Sequence, residues 1–270
     1  MLAKKQNIKD NAEWIRALTN SVGIYSYDDI KKLERKAIKR IQRVASNYSN
    51  ICSGWIAGKD SLVINHILLK SGINFKPIMW RGINEYPGMK KWVDLNKPYN
   101  LIEEIIDKYT LEFLEKHPEY LFCKNNTRQK WMSTKWERQR KDIAKYHFDL
   151  FITGRRLKDG NQCGNADNDF IVKKNGYDVF SPIGEWNNEQ LLAYIRYNNI
   201  ELPPFYQYDR GFLIGSIAQG EWTERAVLDK TEGEVWEELY QIDKSIVIDA
   251  SKKLTSARKF LEARNEDRSY

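Results

Sequence analysis

Asn50-Ile51-Cys52-Ser53-Gly54-Trp55-Ile56-Ala57-Gly58-Lys59-Asp60-Ser61-Leu62-Val63-Ile64-Asn65-His66-Ile67-Leu68-Leu69-Lys70-Ser71-Gly72 is the stretch from which the fold is read. Residues 50–56 are short and apolar-rich, the pattern of a buried strand. Ala57 to Ser61 then supply turn chemistry, and residues 61–70 read as a helix that stops at Ser71-Gly72, a C-terminal cap. Strand, turn and helix in that order make the first half of a βαβ unit.

The chain repeats the alternation. Residues 74–80 read as a second strand followed by a turn over 84–88, and residues 99–102 as a third strand. A polar helix over 124–146 carries Trp131 and Trp136. Strands are expected over 148–153, stopping at Gly154, and over 178–181, stopping at Pro182. Strands alternating with helices imply an α/β fold, a mostly parallel sheet with crossover helices. On either side the pattern is helical. Ser26 with Asp29 is a capping box opening a helix over 27–46, on which Ile30, Leu33, Ala37, Ile41 and Val44 recur at helical spacing. Lys31, Lys32, Arg35, Lys36, Lys39, Arg40 and Arg43 fill its remaining positions, read as a solvated face or, functionally, as a nucleic-acid or partner surface. Further helices are expected over 188–199, 232–243 and 244–265. The chain thus divides into an N-terminal helical segment (1–48), an α/β core (49–186) and a C-terminal helical region (187–270).

Apolar residues are 41% of the 270 and charged residues 30%, a composition with enough for a core and a wet surface. The longest apolar run, Leu62 to Leu69, is broken by Asn65 and His66 and falls far short of the roughly 20 residues that cross a bilayer. No apolar stretch follows Lys4 and Lys5, so neither a secretory signal nor a membrane partner is expected, and the compartment expected is the cytoplasm. Three widely spaced cysteines, Cys52, Cys123 and Cys163, make neither a disulfide framework nor a metal knuckle. His66, His117 and His147 lack metal-ligand spacing, so no metal ligand is assigned; His66 falls mid-helix and reads as a packed residue. A net charge of +7 suits an anionic partner: a nucleotide, a nucleic acid or an acidic protein.

Ligands of open α/β sheets sit at the carboxyl ends of strands, where a helix N-terminus attracts phosphate. Gly58 permits close backbone approach, Lys59 adds charge and Ser61 a hydroxyl. A Walker loop is excluded, because three rather than four residues separate Gly54 from Gly58 and Asp60 follows Lys59. The plain alternative is an ordinary turn capped by Asp60 or Ser61.

Ala57-Gly58-Lys59-Asp60-Ser61 resembles the PP-loop motif Ser-Gly-Gly-x-Asp-Ser of the ATP pyrophosphatase superfamily, and further matches point within it to the phosphoadenosine phosphosulfate (PAPS) reductase family. Glu85-Tyr86-Pro87 is similar to the element after that family's second strand, and Thr153-Gly154-Arg155-Arg156 to its Thr-Gly-x-Arg. Pro182-Ile183-Gly184-Glu185-Trp186 is similar to its Pro-Leu-x-x-Trp, while Leu202-Pro203-Pro204-Phe205-Tyr206 and Gly211-Phe212 resemble its substrate-side elements. The resemblance runs from about Asn50 to Phe212 and implies a fold of the adenine nucleotide alpha hydrolase (HUP) type. It further implies that Ala57, Gly58, Lys59, Asp60, Ser61, Gly154, Arg155 and Arg156 bind an adenine nucleotide, ATP or a PAPS-like compound, with magnesium beside Asp60. Lys59, Asp60, Arg155 and Cys123 are the residues it implies for catalysis. Trp186 and Tyr206 are candidates to cover the site or to pack the core.

The pattern breaks at Ile56 and Ala57, which replace the motif's Ser and first Gly, and at Trp80-Arg81-Gly82, which lacks the family's Asp. No Cys follows Cys163, and Ser216 stands where many relatives have one. Attack on a phosphosulfate needs a thiolate, and an iron–sulfur cluster takes four cysteines where three exist, so no cluster is expected. Cys123, beside Lys124 and the basic helix, is a candidate nucleophile or sulfur carrier, against the plain reading of a structural thiol. The expected function is ATP-dependent adenylation of an acceptor with release of pyrophosphate, such as nucleic-acid sulfur or base modification. A non-catalytic nucleotide-sensing or nucleic-acid-binding module and sulfonucleotide chemistry are the alternatives.

Overall fold

The computed structural model describes Leu2 and residues 10–83, 85–107, 109–122, 125–215 and 230–266, without the side chains of 125–132 and 265–266. Cys123 and Ser216, both singled out above, lie outside the described residues. Two helices come first, α1 (Asn11–Ile24) and α2 (Tyr27–Ala45). The α/β segment follows as β1 (Ile51–Gly54), α3 (Lys59–Ser71), β2 (Lys76–Gly82), α4 (Pro87–Asn96), β3 (Ile102–Ile106), α5 (Leu111–Lys116), α6 (Asn125–Lys145), β4 (Leu150–Ile152), β5 (Ile171–Lys173) and β6 (Asp178–Phe180). Helices α7 (Asn188–Tyr197), α8 (Gly211–Ile214), α9 (Glu232–Ile242), α10 (Lys244–Ser251) and α11 (Thr255–Glu266) complete it.

Six strands among the described residues form one sheet in the order β3-β2-β1-β4-β6-β5. β1 runs parallel to β2 and to β4, β4 runs parallel to β6, and β5 is antiparallel to β6. The sheet is mostly parallel with helices following its strands, the α/β class expected. Strand order reverses between β1 and β4, and it is at the carboxyl ends of strands beside such a reversal that open α/β sheets bind ligands. β1, β4 and β6 are buried along their whole length, as strands covered on both faces must be. Cys52 stands between Lys76 and Phe151 in register.

Local chemistry explains the element ends. Ser26 and Asp29 cap α2 reciprocally, and Asn187 and Gln190 do the same for α7. α3 stops where Gly72 takes φ 71°, a left-handed conformation that costs glycine little. Several boundaries correct the sequence reading. The third strand is residues 102–106 rather than 99–102. A helix, α4, opens at Pro87 inside the expected turn, with proline at its first position. The helix expected over 244–265 is two, parted at Lys252 and Leu254. α5 and β5 were not anticipated. For β5 a signal existed, since Asn175-Gly176 joins it to β6 as a hairpin turn.

The chain divides into two compact units. One comprises Met1–Met79, Asn96–Glu104 and Gln139–Gly215. Within it, α1 packs on α7, and α2 on α3. The other comprises Trp80–Leu95, Ile105–Arg138 and Ser216–Tyr270. Inside it Phe122 meets Trp236 edge-on at 4.7 Å, and Arg81 pairs with Glu85 at 3.0 Å. Among the described residues no helix is long and apolar enough to cross a membrane.

Candidate functional site

β1 delivers the chain into a tight loop, whose first amide, Trp55 N–H, donates to the Ile78 carbonyl at 2.9 Å. Ala57 then takes φ 53°, a left-handed conformation disfavoured for any residue with a Cβ. That is the physical sense of the glycine in the motif it departs from. Gly58 is the N-cap of α3 and provides no side-chain oxygen to the first turn, whose N–H groups a helix leaves without internal partners. Ser61 turns its hydroxyl back to the Gly58 carbonyl at 2.8 Å, fixing the loop rather than facing outward. β4 meets this turn from the next strand. A Cβ on Gly154 would fall 2.5 Å from the Asp60 carbonyl oxygen, so only glycine permits the approach.

Asp60 is the centre of what the two loops bring together. Its Oδ2 accepts from Lys59 Nζ at 2.6 Å and its Oδ1 from Arg156 Nε at 2.8 Å. Arg156, fully buried, also donates from Nη1 to Asn188 Oδ1 at 3.0 Å and from Nη2 to Asp159 at 2.9 Å. Two cations and two carboxylates therefore balance in a closed network. The structure divides the expected arginine pair: Arg156 is spent on internal partners, whereas Arg155 is half-buried and, among the described residues, has no ion-pair or hydrogen-bond partner. Its charge is felt at the Cys163 thiol and the Tyr177 hydroxyl. Both oxygens of Asp60 face cations, so Asp60 does not fit a magnesium ligand in this arrangement.

Aromatic side chains cover the network. The Tyr206 hydroxyl accepts from the Lys59 backbone N–H at 2.7 Å, and burial, reinforced by the nearby Asp60 carboxylate, raises its pKa so that it stays neutral. Tyr206 packs on Phe212 at 4.7 Å, and Phe212 stacks on Trp14 of α1 at 5.8 Å. The Lys59 ammonium lies 5.3 Å over the Trp14 ring. Trp186 is elsewhere, packed on Tyr194 in the core. Trp14, Asp159 and Asn188 escaped the sequence reading. Of these, Asp159 alone had a signal, its i+3 spacing from Arg156.

Two of the cysteines lie among the described residues. Cys52 is fully buried and its thiol pKa is pushed up by burial and by Asp149. Burial raises Cys163 as well, against the pull of Arg155, so neither is poised as a thiolate. On α2, Lys31 pairs with Glu34, Lys32 with Asp29, Lys36 and Arg40 with Glu185, and Arg43 with Asp169. That leaves Arg35 and Lys39 as the unneutralised members of its basic face among the described residues, a thin footprint for a phosphate backbone.

The sequence model described as the phosphoadenosine phosphosulfate reductase domain matches residues 50–217, more than half of the chain. No curated protein is significantly similar in sequence. Among solved structures, the chain is similar to phosphoadenylyl-sulfate (PAPS) reductase from Candida auris in its phosphate complex, at 18% identity and a TM-score of 0.51. That likeness covers 68% of this chain and 92% of the other, and it is one of fold. A weaker likeness, with 13% identity and a TM-score of 0.46, links 89% of this chain to 95% of the NH3-dependent NAD synthetase from Campylobacter jejuni in complex with nitrate.

Proposed function

The chain belongs to the phosphoadenosine phosphosulfate reductase domain family, and from that premise we propose that it binds ATP at the β1–β4 crevice and adenylates an acceptor. The acceptor nucleophile attacks the α-phosphorus, the bond from that phosphorus to the bridging oxygen breaks, and pyrophosphate leaves. The observation supporting this reading is the close approach of the β4 loop to the start of α3 at the switch point of the sheet, where Gly154 packs on the Asp60 carbonyl and Gly58 gives the helix no side-chain cap. Arg155 follows the glycine that packs against the first turn of α3 and, among the described residues, has no ion-pair or hydrogen-bond partner. N–H groups at a helix start hold phosphate, and a guanidinium stabilises charge gathering on the leaving group.

The residues take distinct parts in this proposal. Ala57 to Ser61 form the backbone cradle, and Gly154 sets its distance from β4. Lys59 and Arg155 neutralise the phosphates, Lys59 by exchanging Asp60 for a phosphate oxygen. Asp60 and Arg156 hold the cradle in shape. Among the described residues, the two buried thiols supply no thiolate for sulfonucleotide reduction, which supports the adenylation reading.

Pyrophosphate release from ATP, followed with a panel of nucleophilic acceptors, tests the proposal. Lys59→Ala and Asp60→Ala are expected to abolish release, and Arg155→Ala to weaken ATP binding without unfolding the chain. Turnover unchanged in all three would reject the assignment.

A further inference from the structure

Lys59, the one lysine of the loop, has a side chain only 2% exposed, so a ligand cannot reach its ammonium in this arrangement. What covers it is α1, which precedes the residues matched by the family model. The Trp14 indole lies under the ammonium, is itself fully buried, and keeps its Nε1–H away from water without an acceptor among the described residues. α1 packs on α7 and is tied by side-chain hydrogen bonds at both ends. Its C-terminal end is tied where the Tyr197 hydroxyl donates to the Tyr25 carbonyl at 2.9 Å and Asn187 donates to the Tyr25 hydroxyl at 2.8 Å. Its N-terminal end is held through Asn11, which donates to the Tyr208 carbonyl at 3.2 Å and accepts from Phe212 N–H at 2.8 Å. Beside the helix, Ile15 and Leu18 line an open cleft of about 650 Å³ together with Leu202, Tyr206 and Phe212, so that face of α1 is free of tight packing.

We propose that α1 is a gate over the anion site: it pivots about Tyr25, and phosphate reaches Lys59 when the Asn11 latch releases and Trp14 withdraws. The same stroke frees Phe212 and Tyr206, and with Tyr206 the first amide of α3. The Trp14 N–H has no acceptor among the described residues, and the Lys59 ammonium keeps Asp60 as its partner when the ring withdraws, so the contact can be given up without stranding a charge. The inference rests on the nucleotide reading of the site for its ligand, and its test separates the two.

Full-length wild type and Asn11→Ala are exposed to an amine-acylating reagent, and Lys59 modification is followed by peptide mass spectrometry with and without ATP. Lys59 is expected to be protected in wild type and modified at least tenfold faster in Asn11→Ala, while ATP associates faster with the variant than with wild type. Trp14→Phe, which keeps the stack on Phe212 and removes the orphaned N–H, is expected to leave Lys59 protected. Equal labelling of wild type and Asn11→Ala would overturn the gate, as would rapid labelling of Trp14→Phe, which would mean a loosened fold. Faster labelling of Asn11→Ala in a protein that takes no ATP would support the gate and reject the nucleotide.

Discussion

Two adjacent arginines illustrate how little a residue type says without its surroundings. Arg156 is wholly buried and neutralised by Asp60 and Asp159, so Arg156→Ala leaves carboxylates uncompensated in the interior. Denaturant unfolding is expected to register a loss of about 3–5 kcal/mol. Arg155→Ala removes no internal partner and is expected to leave the unfolding midpoint within about 0.5 kcal/mol of wild type. It should instead cost ATP affinity, by calorimetry, about 1.5–3 kcal/mol, the worth of a hydrogen bond to a charged group. Ala57 poses the opposite case, a side chain where the backbone favours none. Ala57→Gly is expected to stabilise the protein by about 1 kcal/mol in the same unfolding assay. Sequence could place Lys59, Asp60 and Arg156 in one region, because motif spacing around a strand end fixes the backbone. It could not say that Asp60 would answer both cations, since that depends on Gly154 bringing two loops to contact distance.

Elements were legible to the degree that their own residues specify them. α2 announces itself by a capping box, and β1, β4 and β6 by apolar runs, so these are legible within a few residues. α4 and the break between α10 and α11 depend on packing around short segments, where periodicity has too few residues to speak. Packing between elements also sets acid stability. Glu34 of α2 is buried, which alone would raise its pKa, yet hydrogen bonds from Lys31, from Lys70 of α3 and from Tyr194 of α7 outweigh that and hold it near 2, below the usual 4.5. A depressed folded-state pKa gives stability that is present in full above about pH 4.5 and is lost as pH falls toward 2. Urea titrations at stepped pH are expected to find Glu34→Gln less stable than wild type near neutrality, with the gap closing through that window. A gap constant down to pH 2 would remove the three-element tie from the account. Gly154→Ala acts between elements too. It drives β4 away from the first turn of α3, and calorimetry should find ATP binding lost, with stability lower by about 1–3 kcal/mol.

At the scale of the molecule, the surplus of positive charge is spread along the sequence. Most of the cations on α2 are matched by acids, and the site itself holds as many carboxylates as cations apart from Arg155. What the fold contributes is position: a sheet reversing its order between β1 and β4 brings the start of α3 and the loop after β4 together, with Gly154 against Asp60. Family membership, the PP-loop and the α/β sheet followed from ordered motifs along the chain. The covering helix did not, because α1 lies outside those motifs and its Trp14 meets Lys59 only through tertiary packing. A crystal structure with a non-hydrolysable ATP analogue tests the central claim most directly. The account predicts phosphate oxygens within hydrogen-bond reach of the first turn of α3 and of the Arg155 guanidinium, with α1 displaced from Lys59. An analogue bound elsewhere, or a crevice in which α1 and the Lys59–Asp60 pair stay as they are at saturating analogue, would contradict it.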